Sequence, residues 1–359
     1  MDSRNYRRFS RFLPALAVWV LAASACGPQP ADEAGPVSAR ESVTDSAALP
    51  GPVLELREHW VGSTLDWVAE VLSRHPPGTG DPGLRRLALT TLDDPLHLHQ
   101  APEMEAVGEF FTRSANKALD QAEAETVASG AKVWKLYNHT FVVKTSRHTF
   151  AFDVYRGTGR VSLSREQLER LAGMVEVLFI SHYHDDHADY GFAELVDASD
   201  GKVVVPGELW QDKSIADRLV RVPGGGRGEA GGLEFTAFPG HQGEDIPNNV
   251  YLVSADGVSV MHTGDQSRQE DFEIWINGLG SRYRVDILLP NCWTTDLPEM
   301  IRQVDPAVVI TGHENELGHT VDHRESFAKT YRHLQEVRHP YVVMNWGERY
   351  CFRPAAGRP

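Results

Sequence analysis

The chain has 359 residues, with 35 basic against 50 acidic side chains and a formal net charge of −15. That surplus excludes a broad nucleic-acid surface, which needs clustered cations against phosphates, and no basic stripe offsets it. Only three cysteines occur, Cys26, Cys292 and Cys351, so no dense disulfide framework staples the fold, and a pairing of Cys292 with Cys351 stays open.

In chain order, Arg4, Arg7, Arg8 and Arg11 precede an apolar run from Phe12 to Ala23. The run is too short for a membrane span of ~20 residues but has the length of a secretory signal core. Ala23-Ser24-Ala25-Cys26 resembles a bacterial lipobox, with Ala23 standing where Leu is commoner. Acylation of Cys26 would anchor the mature chain to the cell envelope, and Gly27 would favour the outer membrane facing the periplasm. Ordinary cleavage would leave it soluble in the periplasm or secreted. Arg7-Arg8 has the look of a twin-arginine pair, but Ser10 departs from that pattern. Residues 1–25 therefore read as a signal peptide. Residues 26–50, without an aromatic and rich in Pro, Ala, Ser, Asp and Glu, read as a disordered tether.

About 300 residues follow, enough for one large domain with an N-terminal elaboration. Residues 51–131 are predicted to be a helical extension. Leu54–Arg74 has helical character, Pro76-Pro77-Gly78-Thr79-Gly80 breaks it, and Pro102–Ala128 forms a second helix that Gly130 stops. Val107, Phe110, Phe111 and Leu119 share one face of that helix, which is expected to dock on the catalytic domain and wall its cleft. Residues 132–352 read as mixed α/β. Val133–Val143 and His148–Tyr155 form a hairpin about Lys144-Thr145-Ser146-Arg147. Later strands are expected at 175–180, 202–205, 285–289 and 341–344, with helices at 208–220, 266–276, 298–304 and 322–337. Such alternation fits an αββα sandwich. The glycine-rich run 224–228 lacks the Gly-Lys-Ser/Thr ending of a phosphate-binding loop and reads as a flexible loop. Residues 353–359 are a tail.

The most informative segment is Ser181-His182-Tyr183-His184-Asp185-Asp186-His187, which leaves the apolar, β-rich run Val175–Ile180. Strand alternation points His182 and His184 one way, and after the chain turns, Asp186 and His187 approach from another side. Neutral imidazoles and a carboxylate at this spacing are metal ligands, and the geometry suits two neighbouring ions.

H-x-H-x-D-H after a strand resembles the signature of the metallo-β-lactamase-fold hydrolases. The rest of the chain carries what that resemblance implies, each piece following a β-rich run: Pro239-Gly240-His241, then His262-Thr263-Gly264-Asp265, then Gly312-His313-Glu314. Carried over residue by residue, one metal would take His182, His184 and His241, a second would take Asp186, His187 and His313, and Asp265 would bridge them. Zn²⁺ suits such ligands best, with Mn²⁺ or Fe also accommodated. A hydroxide held between two cations is nucleophilic at neutral pH, so the resemblance implies a binuclear hydrolase. A bridging Asp265 is unlike the true β-lactamases and like lactonase, glyoxalase-II and phosphodiesterase relatives, so a lactone or phosphodiester is favoured over a thioester or β-lactam. His184 argues against the redox members, which place Glu there. A non-catalytic metal-holding module is the alternative of another class. His262, on the opposite strand face from Asp265, reads as packed or hydrogen-bonded. His319 and His323 are rivals to His313, with His319 the candidate acid for the leaving group beside Asp186. Asp185, Glu244, Asp245 and Glu314 are left unassigned. The expected partner is a small-molecule or lipid-like substrate, with membrane attachment through Cys26.

Overall fold

The computed structural model describes residues 51–80 and 82–354. The segments read as a signal peptide and a tether, and most of the tail, lie outside the described residues. Three helices open the chain: α1 (Gly51–Arg74), α2 (Gly83–Leu96) and α3 (Glu105–Ala124). There follow β1 (Ala131–Lys135), β2 (Phe141–Lys144), β3 (Thr149–Phe152), the short pair β4 (Gly157–Thr158) and β5 (Val161–Ser162), α4 (Arg165–Met174), β6 (Val177–Phe179), α5 (Tyr190–Ala198), β7 (Lys202–Pro206), β8 (Val220–Val222) and β9 (Arg227–Ala230). The remainder comprises β10 (Leu233–Gln242), β11 (Ile246–Ala255), β12 (Val258–His262), α6 (Leu279–Arg282), β13 (Ile287–Leu289), α7 (Leu297–Val304), β14 (Val308–Ile310), α8 (Phe327–Leu334), β15 (Tyr341–Val342) and β16 (Glu348–Phe352).

Two seven-stranded sheets result, ordered β16-β1-β2-β3-β6-β7-β8 and β15-β14-β13-β12-β11-β10-β9. Strand alternation explains why they stack and why both outer faces are covered. Phe150, Phe152, Val177 and Phe179 from the first sheet meet Val253, Val260, Ile287, Leu289 and Ile310 from the second in one buried cluster. Their neighbours Ala151, Leu178, Leu288 and Val309 face outward and join a second cluster with residues of the helices. The strands are thus buried on both faces, which is why they read as continuous apolar runs. This is the αββα sandwich expected from the sequence.

Side chains cap the helices where the sequence changes period. Ser164 and Gln167 form a reciprocal capping box on α4, Asp189 caps α5, and Ser326 caps α8. The opening helices belong to the same core. Val61, Leu65, Leu89, Phe110, Phe111 and Leu119 are buried in the outer cluster, together with Tyr331 of α8 and Trp346. Asp93 of α2 accepts hydrogen bonds from the backbone N–H groups of Phe327 (2.8 Å) and Ala328 (2.9 Å), and buried Arg85 pairs with Glu348 at 2.6 Å.

Several local expectations change. Val133–Val143 is two strands, because Leu136–Thr140 leaves the ladder, with Asn138 at φ 58°. No helix spans 208–220, where turns and a 3₁₀ turn (Ala216–Arg218) lead into β8; Leu209, Trp210, Ile215 and Leu219 pack on the outer core from an irregular connection that carries the chain from β7 to its parallel neighbour β8. Within 266–276 only the π-helical Phe272–Ile276 forms, and within 322–337 the helix starts at Phe327. The glycine run is ordered rather than a free loop: Gly225 (φ 88°) donates to Ala237, and Arg227 and Gly228 enter β9. The α2 segment, with Pro95 inside its last turn, gave no periodic signal strong enough to be read. Cys292 is buried and Cys351 exposed, and neither is in a disulfide.

Candidate metal centre

The loops that leave β6, β12 and β14 bring His182–His187, Asp265 and His313 together, whereas His241, expected just past its strand, lies inside β10 and pairs with Pro247 of β11. β6 ends at Phe179, and Ile180 still pairs with Val204 before the chain turns through His182–His187, where the His187 and Ala188 N–H groups close back on the His184 carbonyl. β12 ends at His262 and delivers Asp265 through Gly264 (φ 51°), where a Cβ would lie 2.2 Å from Asn248 Oδ1. β14 delivers His313, itself at φ 73°, whose N–H is held by the Asn138 carbonyl at 3.1 Å. A left-handed non-glycine residue costs free energy, and such strain is typical of functional positions.

Two compact clusters of donor atoms form: His182, His184 and Asp265, and Asp186, His187 and His313. Asp265 lies against both. Its Oδ2 is 3.8 Å from His182 Nε2 and 3.3 Å from His187 Nε2, and its Oδ1 is 3.5 Å from His313 Nε2. Asp186 Oδ2 lies 3.4 Å from His187 Nε2 and 3.5 Å from His313 Nε2. A tetrahedral ion with ligand distances of ~2.1 Å sets its ligands ~3.4 Å apart. The spacings of Asp186, His187, His313 and Asp265 match. Among the described residues, His182 Nε2, His187 Nε2, His313 Nε2 and Asp265 Oδ1 are buried with no hydrogen-bond partner. Four converging, unsatisfied, metal-ligating atoms are what a cation would satisfy, since an orphaned buried polar atom otherwise costs about 1–3 kcal/mol.

His241 joins neither cluster. Its ring Nδ1 lies 3.0 Å from buried Asp271, and its N–H donates to Gln266 Oε1 at 2.8 Å. A carboxylate on Nδ1 fixes the tautomer that leaves Nε2 free as a ligand atom. His262 is packed as expected: fully buried, stacked on Phe152 with ring centroids 4.8 Å apart, and placed 3.2 Å from the His139 carbonyl through Nε2. His319 is at the exposed rim with its ring 5.7 Å from that of His313, and His323 is exposed on a 3₁₀ turn. Of the unassigned carboxylates, Glu314 makes a wholly buried, very short ion pair with Lys135.

Sequence reasoning missed a supporting layer. Asp153 lies 2.8 Å from His187 Nδ1 and accepts from the Ser181 N–H and hydroxyl at 2.7 and 2.6 Å. Asn138 donates to Asp186 at 3.1 Å, and Gln242 donates to Asp265 at 3.1 Å. His139 sits behind the centre, buried, with neither ring nitrogen partnered among the described residues and its ring 6.0 Å from those of His187 and His313. It forms further donor groups with Asp153 and His262, and with His187 and Asp265. The polar quartet Tyr137-Asn138-His139-Thr140 inside a β-rich run was the available signal.

The electrostatics complement a cation. Burial opposes charge on every group, yet the imidazoles of His187 and His313 hold Asp265 well below the ordinary carboxylate range, and the same two hold Asp186 down. In return, Asp265, Asp186 and Asp153 overcome burial and push His187 well up, while Asp265 and Asp186 push His313 up to about 10. His182, dominated by burial and by neighbouring His187, is pushed down to about 3. The carboxylates thus draw positive charge into the space between them.

Paired sheets, helices outside, and His182, Asp186, His187, Asp265 and His313 gathered at one edge settle the architecture. The chain has the metallo-β-lactamase fold. No protein-family model matches it, and no curated protein does. Among solved structures it is similar to Igni18, a metallo hydrolase from Ignicoccus hospitalis, at 18% identity over 63% of this chain and 100% of that one (TM-score 0.48). It is also similar to the metallo-β-lactamase-fold protein YhfI from Bacillus subtilis, at 13% identity over 62% and 99% of the two chains (TM-score 0.44). CmlA, a diiron β-hydroxylase from Streptomyces venezuelae, gives 16% identity over 64% of this chain and 55% of that one (TM-score 0.46).

Proposed function

We propose that the protein is an exported, lipid-anchored, binuclear metal-dependent hydrolase that cleaves an ester-type bond, with lactones or phosphodiesters favoured. The observation that carries this is the convergence of four buried, unpartnered ligand atoms spaced 3.3 to 3.8 Å from their neighbours' donor atoms. His182, His184 and His241 would hold one ion, Asp186, His187 and His313 the other, and Asp265 would touch both. Divalent ions, zinc foremost, supply an acidified water and neutralise developing negative charge. The chain's own residues do the rest. Asp153 and Asp271 lock His187 and His241 in one tautomer, Asn138 and Gln242 orient the two carboxylates, and Tyr183 and Trp293 flank His184 and His313. His319, whose ring lies 5.7 Å from that of His313 at the rim, would protonate the leaving group in this reading.

Elemental analysis of the mature protein is expected to find about two metal ions per chain. A panel of lactones, phosphodiesters, thioesters and β-lactams, with Asp186→Ala as blank, is expected to show turnover of lactones or phosphodiesters. Metal content near zero would remove the metal-dependent enzyme reading, and two bound ions with no turnover across the panel would favour the non-catalytic metal-holding module. Turnover of β-lactams alone would show that a bridging Asp265 does not exclude them.

A further inference from the structure

Helix α1 has two apolar faces, and only one has a partner. At 100° per residue, Val61, Leu65, Val68 and Leu72 fall within an arc of about 60° and are buried in the outer core. Val53, Leu56, Trp60 and Trp67 fall within a second arc of about 60°, turned by about 120° from the first. These side chains stay 42%, 69%, 45% and 39% exposed, and Leu84 and Leu87 of α2 are 54% and 51% exposed. Of the large hydrophobic side chains exposed among the described residues, only Tyr183 and Ile274 lie outside these two helices and the residues just named with their neighbour Leu54. Apolar residues scattered singly need no explanation, but a continuous stripe along one helix does.

The position of the stripe in the chain points to what covers it. Cys26, the residue of the lipobox-like sequence, is separated from Gly51 at the start of α1 only by residues 27–50. On the sequence reading of 27–50 as a tether, a chain of that length would span about 25–30 Å on average, so a lipid on Cys26 would keep α1 beside the bilayer. Tryptophan is favoured where one side of a ring meets hydrocarbon and the other meets headgroups, and this face carries two. We propose that the Val53–Leu56–Trp60–Trp67 face of α1 lies on the surface of a lipid bilayer and is the second membrane attachment of this protein. The inference rests on the lipid-anchor reading for its geometry. Among the described residues no helix is long and apolar enough to cross a membrane. The net charge of −15 fits an uncharged bilayer surface rather than an anionic one.

The test uses the mature chain carrying Cys26→Ser, so that no lipid contributes, with vesicles of phosphatidylethanolamine and phosphatidylcholine. The unlipidated chain is expected to sediment with these vesicles. Adding Trp60→Ser and Trp67→Ser is expected to weaken the partition at least about tenfold while metal content stays unchanged, which shows that the catalytic domain is still folded. Anionic lipid is expected to reduce binding. The proposal is overturned if the Cys26→Ser chain stays in the supernatant, if the double tryptophan variant binds as well as its parent, or if the face closes a dimer that the tryptophan substitutions dissociate. Metabolic lipid labelling of the wild type examines Cys26 separately, so an unlabelled chain that still binds vesicles removes the anchor and leaves the docking face.

Discussion

At the scale of single residues, buried charge is the recurring theme. Lys135 and Glu314 are fully buried and paired, and Lys135 also donates to the Met344 carbonyl at 3.0 Å, so the pair ties β1 to the loop carrying His313. Lys135→Met leaves Glu314 buried alone and is expected to destabilise by about 3–5 kcal/mol, whereas Lys135→Met with Glu314→Leu recovers most of the loss; denaturant unfolding of both variants checks this. The candidate ligands give a pH dependence whose sign follows from their shifts. His313, raised to about 10, adds stability to the metal-free protein that is complete below the ordinary histidine range near 6.5 and is lost as pH climbs through 10. His182, held down to about 3, works oppositely: as pH falls below ~6.5 the unfolded chain gains a proton that the native His182 refuses. Chelator-treated protein is therefore expected to melt highest near pH 6–7 and lower on both sides. A flat profile to pH 9 would show that His313 gains nothing from Asp186 and Asp265.

At the scale of elements, short loops with special backbone geometry turn strand ends into a site. Gly264 shows this best. It is at φ 51°, and a Cβ there would fall 2.2 Å from Asn248 Oδ1 and 2.5 Å from Ser181 Cβ, the residue preceding the first ligand. Gly264→Ala must shift the β12 loop or the β6 loop, so it is expected to lower stability by about 1–3 kcal/mol and to reduce metal content. Thermal melts and elemental analysis of the same preparation measure both. Gly243, also at positive φ but with open space around it, is the control: Gly243→Ala is expected to keep metal content.

At the scale of the whole molecule, the opening helices are part of the structure that holds the site. α2 caps the start of α8 through Asp93 and clamps β16 through Arg85, while Phe111 of α3 packs edge-on to Tyr137 and Trp346. Calorimetry is therefore expected to show one cooperative transition for residues 51–354, and a chain beginning at residue 126 is expected to be insoluble, having exposed Trp134, Tyr137 and Trp346. Two resolved transitions would make the helices an independent unit.

Strand-then-ligand order was legible because both of its signals are local. An apolar run of β-branched residues marks a buried strand, and His or Asp placed directly after it marks a loop at the sheet edge, so His182, His184, Asp186, His187, Asp265 and His313 could be named as candidate ligands, and the structure brings them together. What surrounds them was not local. Asp153 is only another acidic residue until β3 pairs with β6 and sets it against His187; His139 lay inside a run that reads as strand until Asn138 takes a positive φ; His241 was expected just past its strand but lies inside β10, paired with Pro247 of β11, with Asp271 beside its ring. The helix misread at 208–220 has the same origin, since local pattern could not reveal that β7 pairs with β8 across that connection. Ligand identity is chemistry written in residue type and order, whereas ligand orientation and charge depend on distances between segments far apart in sequence, and only folding sets those distances.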